Sequence, residues 1–83
     1  MVWLGWDNTA TALTRIARER DKQDSKWGEQ NHDDQTWGNI LTEEYLEAIR
    51  DLNDGKYDSL EEEIIQTAAV CVAWLESRWR RQS

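Results

Sequence analysis

Ala68-Ala69-Val70-Cys71-Val72-Ala73-Trp74-Leu75, AAVCVAWL in one-letter code, is an unbroken apolar run in an 83-residue chain of which 33% is charged. It is far shorter than the roughly 20 apolar residues that span a membrane. Wound as a helix it is apolar all the way round, so it has no solvent face and must be enclosed. Ser59 and Glu62, nine and six residues upstream, stand in capping-box register, which predicts a helix over 59–81 beginning at Leu60. Arg78, Arg80 and Arg81 suit the negative end of its dipole. Within the run Cys71 reads as a small buried thiol of the core; no neighbouring histidine activates it as a nucleophile.

Working outward, punctuation is sparse: there is no proline, and the four glycines are Gly5, Gly28, Gly38 and Gly55. Helices should dominate. A second helix is predicted over 37–54, stopped at Asn53-Asp54-Gly55, where Gly55 can take the left-handed conformation. A first helix over 8–25, capped by Asp7, Asn8 or Thr9, carries Leu13, Ile16 and Ala17 at helical spacing. A polar loop over 26–36 joins the two. Residues 1–7, with Trp3, Leu4 and Trp6, form an arm expected to pack over the bundle or a neighbouring chain. The fold class is therefore all-α, a short three-helix bundle in one domain. A chain this small buries only about 60% of the surface its unfolded form exposes. Enclosing AAVCVAWL then implies a second copy, and a homo-oligomer, dimer or higher, is expected.

Seventeen Asp and Glu against ten Lys and Arg give a net charge of −7, the wrong sign for gripping a nucleic-acid polymer. One cysteine, no transmembrane run and no signal pattern lead to the expectation of a reducing, cytoplasmic setting with no membrane partner.

On the predicted second helix, about 100° per residue places Trp37, Ile40, Leu41, Ala48 and Leu52 on one stripe. Glu44 falls within that stripe, with Glu47 and Glu43 on its flank. An ionised carboxylate is costly to bury unless paired or coordinated. The third helix offers Glu63 and Gln66 three residues apart, with Thr67 one turn beyond Glu63. An antiparallel hairpin would bring Glu43, Glu44 and Glu47 opposite Glu63, a donor set for a hard divalent cation such as Mg²⁺. The competing reading is ordinary: Glu61, Glu62 and Glu63 favour a helix N-terminus, while Glu43 and Glu47 pair with Arg50 or with arginines of the first helix.

The loop KWGEQNHDDQTWG, Lys26–Gly38, places large rings in polar surroundings. Trp27 or Trp37 can stack on a base, a contact of about 1–3 kcal/mol. Gln30, Asn31 and His32 can hydrogen-bond base or ribose edges, and Arg15, Arg18, Lys22 and Lys26 can meet phosphates. His32-Asp33-Asp34 lacks the second His or Cys a zinc site would need. Tyr45 and Tyr57 have no spacing that ties them to the site, although either could line it.

Glu43-Glu44-Tyr45-Leu46-Glu47 followed by Glu63-Ile64-Ile65-Gln66 resembles the EExxE and ExxD signature of the MazG-like all-α nucleotide pyrophosphohydrolases, and the likeness covers about Arg15 to Glu76. It implies a MazG-like helical bundle, usually dimeric or a dimer of dimers. It implies Mg²⁺ held by the signature carboxylates, and cleavage of nucleoside triphosphates to monophosphate and pyrophosphate. Glu43, Glu44, Glu47 and Glu63 would be metal ligands, with Glu44 and Glu47 catalytic in an active enzyme. Many short members are phage-borne, which would place the protein in a bacterial host's cytoplasm. The departure is Gln66 where the signature has Asp, which removes a charge and weakens the hold on Mg²⁺. A further helix that many relatives use is also missing. The first expectation is therefore a protein that captures a nucleotide, a signalling nucleotide among the candidates, with little or no hydrolysis. The alternatives are a working Mg²⁺-dependent pyrophosphohydrolase and a helical interaction module without a ligand.

Overall fold

A computed structural model describes the backbone of residues 5–82 and the side chains from Asp7 to Gln82. All regular structure in it is helical: α1 (Gly5–Trp27), α2 (Asp34–Asn53) and α3 (Tyr57–Gln82). The expected all-α class is what the chain adopts. Trp3 and Leu4 of the expected arm lie outside the described residues, and Gly5 and Trp6 are already helical.

Each helix starts earlier than predicted, and α1 and α3 also end later, for local reasons. Nothing interrupts the chain between Gly5 and Trp27, so α1 starts before its supposed caps. Asp7 sits instead in the first turn, where its charge suits the dipole. At the other end Gly28, at φ +74°, donates its N–H to the Asp24 carbonyl at 2.8 Å and closes the helix. Lys26 and Trp27 therefore belong to α1 and not to the loop. Asp33 caps α2 by accepting from the Thr36 N–H at 2.8 Å, which moves that helix start back to Asp34.

Gly55, at φ +72°, ends α2 as expected. The Lys56 N–H reaches the Asp51 carbonyl at 2.9 Å and the Gly55 N–H that of Leu52 at 3.2 Å, the paired bonds of a Schellman motif. This turn delivers the chain into α3 after one residue, and the Leu60 N–H already bonds the Lys56 carbonyl. Ser59 is thus inside the first turn and does not cap it.

α3 is the central element. α2 packs antiparallel along one side of it and α1 along another, while α1 and α2 do not pack on each other among the described residues. The core cluster is Trp37, Val70 and Ala73, with Ile40, Leu41 and Trp74 against it; all come from α2 and α3. Ionic contacts hold α1: Arg15 to Glu61 and Glu62, both at 2.9 Å, and Arg20 to Glu76 at 3.0 Å.

The enclosure expected of AAVCVAWL is met on one side within the chain. Ala69, Val70 and Ala73 are buried, together with Ser77, but Leu75 is 47% exposed and Cys71 is exposed, not a core thiol. At about 100° per residue, Tyr57, Ile64, Cys71 and Leu75 share one stripe, and the buried set is centred on the opposite side. α1 and α2 both lie on that buried side, which is why Cys71 is left open. On α2, Trp37 and Ala48 are buried and Ile40 and Leu41 half-buried as the stripe predicted, but Leu52 is 45% exposed beyond the end of the packed region.

Candidate functional site

Because α1 and α2 stand apart on α3, a cleft of about 540 Å³ opens between them, within the range of small-ligand sites. Its floor is Ile40, Trp37, Val70 and Ala73. Its α1 wall carries Glu19, Lys22, Gln23, Lys26 and Trp27, and Glu44 and Gln66 face it from α2 and α3.

The antiparallel pairing of α2 with α3 produces the carboxylate convergence. Glu44 and Glu47, three residues apart on α2, and Glu63 of α3 each bring one oxygen within 4.8 Å of the others. Oε2 of Glu44 and Oε2 of Glu63 are buried without a hydrogen-bond partner. Burial pushes the Glu63 carboxyl up to about 7, aided by a hydrogen bond with Glu47 and by the charges of Glu47, Glu44 and Asp51. Glu44 is raised for the same first reason, then by Glu47, Glu19 and Glu43. Carboxylates crowded this way need protons or a cation, and small side-chain rotations would draw three hard oxygens within 4.8 Å of one another onto a divalent ion such as Mg²⁺. Glu43 does not join them: it is exposed, one helical step away from the inward face. The surface bridges read for Glu43 and Glu47 do not form among the described residues; Arg15 of α1 binds Glu61 and Glu62 instead.

Of the ligand residues read from the sequence, Lys22, Lys26, Trp27, Gln30 and Trp37 line the cleft. Trp27 is 56% exposed, with Lys26 Nζ 4.8 Å from its ring centre. Trp37 is 3% exposed and cannot offer a ring face for stacking; it is core. Arg15 is spent on Glu61 and Glu62, and Arg18 is exposed outside the cleft lining. Asn31 lies outside it too, donating to Glu29 at 2.9 Å and accepting from Arg80 at 2.8 Å. His32 braces the loop, its ring edge-on to Trp37 at 4.9 Å. Tyr45 and Tyr57 are exposed and line no part of the cleft.

Sequence reasoning missed Glu19. Its side chain is only 10% exposed, held by Lys22 at 3.6 Å and Gln23 at 3.2 Å, and its charge reaches Glu44. The apolar spacing of α1 ends at Ile16 and Ala17, and every residue from Arg18 to Lys26 is polar, so no apolar stripe ran past Glu19 to mark it as inward-facing. Arg20 was also missed; it ties Glu76, Gln23 and Asp24 together behind the wall.

The loop end is fixed by Asp34. It accepts from the Trp74 indole at 2.8 Å, from Arg81 at 2.8 Å and from Arg78 at 2.6 Å, and these bonds hold its carboxyl well below the usual range. The arginines expected at the helix dipole therefore also position the loop.

No family model matches this sequence, and no curated protein or solved structure matches it either.

Proposed function

We propose that the cleft binds a nucleotide through a divalent cation and holds it with little or no hydrolysis. One observation carries this reading: the order of side-chain chemistry along α2 and α3 is the order of groups along a nucleotide, and α1 ends beside it in Lys26 and Trp27. α3 runs Glu63, Gln66, Val70, Ala73. α2, read backwards, runs Glu47, Glu44, Ile40, Trp37. α1 begins at Glu19 and ends at Lys26 and Trp27, with Arg20, Lys22, Gln23 and Asp24 between them. α2 and α3 each pass from acid towards apolar or aromatic, and Glu63 to Ala73 covers about 15 Å at 1.5 Å per residue. That length accommodates a phosphate chain at the carboxylate end, a sugar in the middle and a base on the apolar floor beside Trp27. Glu44, Glu47 and Glu63 would hold the Mg²⁺ that offsets the phosphates, and Lys22 and Lys26 would add positive charge from the facing wall. The exposed stripe of Tyr57, Ile64, Cys71 and Leu75 would be covered by a second copy, giving the homo-oligomer.

The convergence of Glu44, Glu47 and Glu63 favours a second reading, MazG-like hydrolysis of a nucleoside triphosphate to monophosphate and pyrophosphate. Glu44, Glu47 and Glu63 would hold a cation that supplies Lewis-acid polarisation of the phosphoryl group, and a carboxylate not engaged by it could accept a proton from the attacking water. Gln66 in place of an acid favours capture over turnover, because it lowers the charge available to hold the ion.

The test is to incubate the protein with a nucleotide panel and Mg²⁺, then chromatograph the mixture and the heat-released fraction. Intact nucleotide released only on denaturation supports capture. Monophosphate and pyrophosphate appearing in the mixture establish hydrolysis. No retention of any nucleotide leaves a helical interaction module.

A further inference from the structure

Three carboxamides line the cleft: Gln23, Gln30 and Gln66. Two are committed within the chain. Gln23 accepts from Arg20 at 3.1 Å and donates to Glu19 at 3.2 Å, and Gln30 Oε1 lies 3.4 Å from His32 Nε2. Gln66 is half-buried on α3, the central element of the fold, and its carboxamide has no hydrogen-bond partner among the described residues.

Its place is as informative as its lack of a partner. It stands one turn beyond Glu63, about 4.5 Å along α3, and one turn before Val70, about 6 Å further on. If the reading of the cleft as a nucleotide site holds, the carboxylates meet the phosphates and Val70 and Ala73 meet the base. Gln66 then stands level with the sugar.

We propose that Gln66 determines sugar specificity, its carboxamide hydrogen-bonding the hydroxyl edge of a ribonucleotide's ribose. A hydroxyl both donates and accepts, and so does a carboxamide, which can take either role as the sugar pucker requires. A carboxylate at the same place could only accept, and would repel the adjacent phosphate. A neutral amide in this position suits a site that recognises a ribose better than one that adds a fourth acid around a cation. A sugar without hydroxyls would leave the half-buried amide unpaired, which penalises the wrong ligand more than it rewards the right one.

The experiment compares equilibrium binding of ribo-, 2′-deoxy- and 2′,3′-dideoxynucleoside triphosphates, each base in turn, to the wild-type protein and to Gln66→Leu, in Mg²⁺. Mn²⁺ binding without nucleotide is measured on both proteins. The wild type should lose about tenfold in affinity between the ribo and dideoxy forms, the weight of one hydrogen bond. Gln66→Leu should bind both forms within about twofold of each other, with Mn²⁺ affinity unchanged, as expected when a single hydrogen bond is absent. Gln66→Glu, which keeps the side-chain shape, should bind all forms more weakly and still prefer the ribo form, because its carboxylate accepts from the hydroxyl. The inference is overturned if Gln66→Leu retains the wild-type ribo preference, or if it loses Mn²⁺ affinity, which would make Gln66 a metal ligand. Failure of the wild type to bind any of these nucleotides would instead overturn the nucleotide reading on which the inference rests.

Discussion

The indole of Trp74 donates through Nε1 to Oδ1 of Asp34 at 2.8 Å, joining the middle of α3 to the first residue of α2. Asp34 also receives Arg78 and Arg81, so a single carboxylate organises the end of the bundle where the loop lies. Asp34→Ala should lower the thermal midpoint clearly, while Asp58→Ala, on the exposed first turn of α3, should leave it nearly unchanged. Calorimetry on the two variants makes the comparison; equal midpoints would count against the clamp.

The carboxylate cluster sets an unusual pH dependence. Glu63 binds its proton more tightly folded than unfolded, so stability is present below its ordinary value of 4.5 and declines as pH rises to about 7. Asp34 works in the opposite sense: its contribution is present above the usual carboxylate range and is lost as pH falls through its depressed value. Metal-free protein should therefore show a falling thermal midpoint between pH 5 and pH 7. Mg²⁺ should raise the midpoint above that window by replacing the proton, and Glu63→Gln should flatten the decline. A midpoint that is constant across the window in the wild type would rule out a shared proton at Glu63.

Substitution of each carboxylate separates the cluster from its flank. Glu44→Gln, Glu47→Gln and Glu63→Gln should each weaken Mn²⁺ binding by about tenfold or more, and Glu43→Gln should change it much less. Titration of the four variants decides this, and a Glu43→Gln loss as large as the others would restore Glu43 to the ligand set.

The two loop-flanking tryptophans should behave oppositely. Trp37→Ala empties the core and should cost about 3–5 kcal/mol of stability. Trp27→Ala should leave the fold intact and weaken nucleotide binding by about 1–3 kcal/mol, the worth of one stacking contact. Thermal melts and binding isotherms on both variants test the split.

The open stripe of α3 gives an oligomerisation test. Leu75→Glu, and independently Ile64→Glu, should reduce the sedimenting species to a monomer while circular dichroism stays helical. Cys71, exposed in the single chain, should react slowly with a thiol reagent in the assembled wild type and faster in these variants. A wild type that already sediments as a monomer would remove the second copy from the proposal.

Much of this was legible in the sequence because it rests on periodicity and on local chemistry. Glu44 announced itself by interrupting an apolar stripe, and Gly55 by following Asn53 and Asp54. Trp27 and Trp37 were harder to tell apart, since both stand beside a glycine in polar surroundings. Only the position of Gly28, which ends α1 after Trp27, and the Asp33 cap, which starts α2 before Trp37, send one ring to solvent and the other inward. Glu19 was not legible at all: its burial depends on where α1 crosses α3, which ionic contacts with residues more than forty positions away determine. Cys71 misled for the converse reason, because an apolar neighbourhood in sequence does not say which side of a helix its own chain will cover.

The two walls of the cleft are held by different forces. α2 is bound to α3 through Trp37, Val70 and Ala73, which added salt does not loosen, whereas α1 contributes nothing to that cluster and is fastened by arginine–carboxylate pairs. The exposed Arg15 pairs weaken as ionic strength rises and the screening length falls below about 10 Å, while the more buried Arg20–Glu76 pair is screened less. The fixed wall holds the carboxylates Glu44 and Glu47, and the adjustable wall holds Lys22, Lys26 and Trp27. Rising ionic strength should therefore act as a dial on the width of the opening, leaving the carboxylate end set while the wall that carries Lys22, Lys26 and Trp27 slackens.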